Sequence, residues 1–125
     1  MKRLTLSVFV IVALAGSMAI LRAQDPVKVD AKHYKVEFEN DAVRILRINY
    51  GPGEKSVMHV HPDSVAVFLT DQNAKFTFPD GKSDVVTAKA GEVKQIPAGP
   101  HLPENIDNKA MELILVEFKT KPAAK

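Results

Sequence analysis

The sequence predicts an all-β fold, one small sandwich or barrel, and three observations carry that prediction. Short apolar-rich runs recur along the chain at nearly regular spacing, and Gly, Pro, Asn and Asp residues separate them. Beyond the N-terminal segment no window carries a helical stripe. A chain of 125 residues supplies one domain, and neither an internal repeat nor a linker divides it.

Taken in order, residues 1–23 read as an export signal. Lys2-Arg3 precede an apolar run from Leu4 to Ala15, and Leu21-Arg22-Ala23 offers a small residue before a polar start at Gln24. The run falls short of the ~20 residues of a spanning helix, which favours a cleaved signal peptide over a membrane anchor. No Cys follows it to take a lipid. Residues 24–32 are polar and read as an extended N-terminal arm. His33–Glu39 then alternates polar and apolar residues, as a half-buried strand does. Asn40-Asp41 is a turn. Ala42–Tyr50 is a strand with apolar residues on both faces, which points to a bulge or to burial on two sides. Gly51-Pro52-Gly53-Glu54 breaks the chain. Strands follow over 56–61, 65–70 and 74–78, then a tight turn at Pro79-Asp80-Gly81-Lys82. Strands over 85–89, 92–96 and 110–119 complete the set, the last apolar enough to be buried on both faces. Residues 120–125 form a flexible polar tail.

Composition narrows the chemistry. Seventeen basic and fifteen acidic side chains give +2, but removal of Lys2, Arg3 and Arg22 with the signal leaves fourteen against fifteen, a net of −1. Basic and acidic residues are interspersed, so no polyanion-binding surface is expected and nucleic acid is not a partner. The absence of Cys excludes thiol catalysis, thiolate ligands and disulfides, so stability must come from the core, or from the core and a metal.

Three of the four His residues lie near turn signals. His59 and His61 are two apart on an expected strand, so both imidazoles share one face and can meet a single ion. Further on, Gly91, Pro97 and Gly99 lead to His101, and Pro100 and Pro103 hold the segment around it extended. That spacing alone also suits a Pro-rich connection with a surface His.

Together these residues resemble the two motifs of the cupin superfamily. Gly53-x5-His59-x-His61 is similar to the first motif, and Gly91-x5-Pro97-x-Gly99-Pro100-His101-x3-Asn105 to the second. The resemblance covers 33–119 as one cupin domain and implies a jelly-roll barrel in which His59, His61 and His101 converge on a metal. At closer range Tyr50–Lys55, Val67–Asp71 and His101–Asn105 look like the small bacterial cupins named for β-alanine degradation. Two departures stand out. Only Pro100 separates Gly99 from His101, where the family pattern has two residues. The Glu that usually follows the first motif, three or four residues after its second His, is replaced by Val65 or Ala66, leaving that ligand slot vacant.

Three imidazoles suit one divalent ion, whether Fe, Zn, Ni, Mn or Cu, and leave room for water or substrate. Three-His cupins include dioxygenases, so the resemblance implies an O₂-dependent oxidoreductase acting on a small molecule. The alternative is a non-catalytic barrel that holds a small molecule. Glu54, Glu104 and Asn105 are candidates for contacts behind the ligands or in the pocket: Glu54 as a base at the mouth, Glu104 beside a ligand, Asn105 satisfying backbone groups of its turn. Phe68, Phe76 and Phe78 are core or pocket lining. His33, outside both motifs, is expected at the surface. The whole reading is of a periplasmic or secreted protein, free of the membrane after signal cleavage, whose apolar last strand is compatible with a homodimer.

Overall fold

The computed structural model describes residues 24–119; the expected signal peptide and C-terminal tail lie outside them. A one-turn helix, α1 (Pro26–Val29), leads into β1 (Tyr34–Glu39), β2 (Val43–Tyr50), β3 (His59–His61), β4 (Ser64–Phe68), β5 (Gln72–Thr77), β6 (Ser83–Ala88), β7 (Val93–Ile96), β8 (Gly99–Asn105) and β9 (Met111–Phe118). One sheet runs β1-β2-β9-β4-β7 and the other β3-β8-β5-β6.

The pairing is nested, and this nesting builds the site. The turn at Pro79–Lys82 joins β5 to β6, with Gly81 at φ +83° supplying the conformation that L-residues avoid. Outward from that hairpin the chain pairs with itself antiparallel: β4 with β7, β3 with β8, β2 with β9. Positions near residues 60 and 100 therefore become neighbours, and His59 stands directly opposite His101.

The core lies between the sheets, where Leu46, Ile48 and Tyr50 of β2 meet Ala66 and Phe68 of β4, Ala74, Ala88, Met111 and Leu115. The mixed pattern of 42–50 is burial on one face: Leu46, Ile48 and Tyr50 are buried, whereas Val43, Ile45 and Arg47 are half-buried and Asn49 is exposed. β2 keeps an unbroken register with β9 while the bulge falls on β1, where Val36 pairs Leu46 and Phe38 pairs Ile45.

Two expectations change. The 24–32 arm is not extended throughout. Asp25 caps α1 by accepting from the Val27 amide at 3.0 Å, and Pro26 sits in the first turn, where its missing N–H is no loss. The second is β8, a strand that its two prolines disguise. Pro100 ladders with Val60 of β3, and Pro103 with Phe76 of β5. Each thus has one partner strand within the named pairs, and a ring without an N–H fits where the ladder does not call for a donor.

Candidate metal centre

β3 and β8 carry the three expected ligands. His59 and His61 are buried and His101 partly so, and one ring nitrogen from each lies within 4.8 Å of the others. The rings meet edge to face, with centroids 4.8–5.3 Å apart.

Their tautomers follow from what stands behind them. His59 Nδ1 lies 2.8 Å from the Val57 carbonyl, which only accepts, so Nδ1 carries the proton. His61 Nδ1 donates to Glu117 Oε2 at 2.6 Å. With both rings in the neutral, ligating form, both Nε2 atoms present lone pairs, and the two Nε2 atoms lie 3.1 Å apart. Two acceptors at that distance repel unless a cation or proton lies between them. Metal–imidazole bonds of about 2.0–2.1 Å put neighbouring donor atoms ~3 Å apart, so the spacing fits a shared ion. Charge agrees with geometry. Burial, then repulsion from His61, lowers His59 to about 4, and burial with both neighbouring imidazoles lowers His101 to about 3. Both are neutral at pH 7, the form that ligates.

Glu117 was not legible as a site residue. It lies on the inner face of β9 in step with Met111, Leu113 and Leu115, a single acid in an apolar row, and that was its one signal. Burial pushes its carboxyl up, but hydrogen bonds from His61 and Arg44 outweigh burial and hold it below the usual range. Arg44 Nε donates to Glu117 at 2.6 Å, and Arg44 also pairs with Asp25 at 2.7 Å. A carboxylate behind a ligating imidazole fixes the ring and raises its basicity. Here that chain runs from His61 to Asp25, the residue that caps α1.

His33 also departs from expectation: it is buried, not at the surface. Its Nδ1 meets Asp30 at 2.7 Å and its Nε2 meets Glu54 at 2.6 Å, while its ring stacks on Tyr50 at 4.3 Å. Tyr50 bonds the Tyr34 hydroxyl at 2.6 Å, and the Tyr34 hydroxyl lies 3.1 Å from His59 Nε2. Burial pushes both phenols up, so both stay protonated at neutral pH. Neither tyrosine belongs to the two histidine-bearing motifs, although Tyr50 opens the Tyr50–Lys55 stretch.

The remaining candidates are elsewhere. Glu54 pairs with His33 and Lys32, which hold its carboxyl at about 2, so it is a poor base. Glu104 is half-buried beside Lys75. Asn105 is fully buried and gives its amide to the Gly51 and Lys109 carbonyls, fastening two turns. Ala66 occupies the inner face of β4, 1% exposed, and Val65 is half-buried on the opposite face.

A cavity of about 80 Å³ lies inside the barrel against His61 and His101. A wider mouth of about 440 Å³, lined by Phe76, Phe78, Val86 and Ile96, opens at His101.

No protein-family model matches the sequence, and no curated protein matches it. Solved structures do. A cupin domain from Bordetella pertussis superposes with a TM-score of 0.65 at 24% identity, over 70% of this chain and 92% of that one. An RmlC-like cupin family protein with a double-stranded β-helix fold, from Methanocaldococcus jannaschii, gives 0.54 at 22% identity over 71% and 83%. A cupin superfamily protein from Desulfitobacterium hafniense gives 0.52 at 16% over 68% and 74%. The fold is that of a cupin.

Proposed function

We propose that this is an exported metalloprotein whose three imidazoles hold one divalent ion for chemistry on a small molecule, with oxidation by O₂ as the reaction to test first. The observation that carries the reading is the convergence of three ring nitrogens within 4.8 Å, with the His59 and His61 Nε2 atoms 3.1 Å apart and each of those two rings fixed by a hydrogen bond behind it. Such an ion supplies a Lewis-acidic position with room for a ligand beyond the three histidines. The chain's own residues do the rest. Glu117 and Arg44 keep His61 in its ligating tautomer, Tyr34 sets a hydroxyl beside His59, and the apolar barrel wall limits water.

Export rests on the Lys2–Ala15 pattern, and the half-exposed Val36 and Phe38 on the edge strand β1 support pairing of two copies along that edge. The local likeness to cupins named for β-alanine degradation belongs to this reading too and assigns no substrate.

The test is metal analysis of purified and reconstituted protein, followed by oxygen uptake with a panel of small molecules. Metal uptake with substrate-dependent oxygen consumption supports the enzyme. Metal uptake without turnover of any panel member, but with saturable binding, favours the non-catalytic barrel.

A further inference from the structure

At the metal end of the cavity His59 and His61 are fixed by hydrogen bonds; at the opposite end a buried amide oxygen is not. Gln72 is 3% exposed, and its Oε1 has no hydrogen-bond partner among the described residues. Period-two alternation places it on the inner face of β5 with Ala74 and Phe76, and its side chain lines the same cavity as His61 and His101. Besides Tyr34 and Tyr50 the rest of the described lining is apolar, with Phe68, Phe76, Val86, Ile96 and Leu113 among it, and it holds no Lys or Arg. A buried amide oxygen without a partner costs about 1–3 kcal/mol, and apolar packing alone would favour Leu at this position.

We propose that this cavity is the substrate chamber and that Gln72 Oε1 accepts a hydrogen bond from an O–H or N–H at the far end of a small, otherwise apolar substrate whose other end faces the three imidazoles. The assignment rests on the metal reading above. It goes further by naming the ligand class: a short bifunctional molecule with a metal-binding group, an apolar middle and a terminal donor. Size agrees with this. At about 80 Å³ the cavity exceeds the ~10–15 Å³ that one water needs and falls well below the ~300 Å³ of larger ligand sites. Length agrees as well. Gln72 and Phe76 are four residues apart on β5, about 13 Å along the strand, and the Phe76 ring lies 5.0 Å from His101. A chain of several carbons spans the interval.

The test uses metal-reconstituted wild type and Gln72→Leu, with two probe series measured by calorimetry. One is the unbranched carboxylates from propionate to heptanoate; the other is the same acids with a hydroxyl on the terminal carbon. Both should bind through the carboxylate, and at one chain length the hydroxy acid should bind about tenfold tighter to wild type, as one added hydrogen bond gives. That preference should vanish in Gln72→Leu, and Gln72→Ala serves as a second variant if packing interferes. No hydroxyl preference at any length overturns the proposal, since the amide is then satisfied by water; so does a preference that survives in both variants. Metal uptake without carboxylate binding removes the chamber but keeps the ion. Absence of metal uptake removes the reading beneath both.

Discussion

The two ends of the barrel cavity treat their polar groups in opposite ways. At the imidazole end two of the three rings are held from behind: His59 by the Val57 carbonyl and His61 by Glu117, which Arg44 holds in turn. At the other end Gln72 Oε1 has no hydrogen-bond partner among the described residues and sits in an apolar wall. A site that binds a permanent ion needs its donors fixed beforehand, because misplaced ligands lose affinity. A site that meets a passing ligand must leave something unsatisfied for that ligand to satisfy. The contrast separates the residues that hold from the residue that recognises.

Breaking the imidazole end should have the largest effect. Replacing His59, His61 or His101 with Ala should abolish metal uptake, read by elemental analysis on protein whose circular dichroism remains β-type. Removing Glu117's charge should do less. Glu117→Gln keeps the shape but weakens the bond to His61, and metal affinity should fall about 10–100-fold in competition titrations.

The vacant fourth position sharpens the comparison. Ala66→Glu places a carboxylate on the inner face of β4 and should tighten the metal about tenfold or more, because opposite charges in a partly buried pocket attract strongly. Val65→Glu sits on the other face and should leave affinity unchanged. Equal effects from both would show that the alternation assigned to β4 is wrong.

pH acts on the metal-free protein through the same end. His59 and His101 are depressed in the folded state to about 4 and about 3, against an ordinary value near 6.5. Below ~6.5 the unfolded chain therefore binds protons that the folded chain refuses, and stability is lost as pH falls toward those folded values. It is fully present above ~6.5. Urea melts between pH 7 and 4 should show a fall of at most ~1.4 kcal/mol per pH unit for each of the two histidines. Double substitution of His59 and His101 should flatten the curve.

The smallest effect on the metal is expected at His33, which touches no ligand. His33→Ala leaves Asp30 and Glu54 facing an empty space and removes the ring stacked on Tyr50. Stability should drop by about 1–3 kcal/mol with metal stoichiometry unchanged.

What could be read from the residues alone was whatever lies close together along the chain, while the convergence of His101 with His59 and His61 was legible only through the resemblance to the two motifs. His59 and His61 share a face through a period of two, and most strand positions followed from alternation and turn residues. What could not be read depends on nested pairing or on a single turn. Glu117 reaches His61 only because β9 lies beside β4, fifty-six residues away in the chain. Helix α1 is four residues long, too short for any periodicity to appear. His33 looked like a surface residue because Asp30 and Glu54, the groups that make its burial tolerable, are contributed by loops. Gln72 opens β5 beside Asp71, where a polar residue reads as the end of a turn. β8 was hidden by its prolines.

The central claim is that three imidazoles are organised to share one divalent ion. Metal content of the purified and reconstituted protein tests it most directly. The expected result is about one ion per chain, lost in each single His→Ala variant and retained in His33→Ala. Folded wild-type protein that takes up none of Fe, Zn, Ni, Mn or Cu would contradict it.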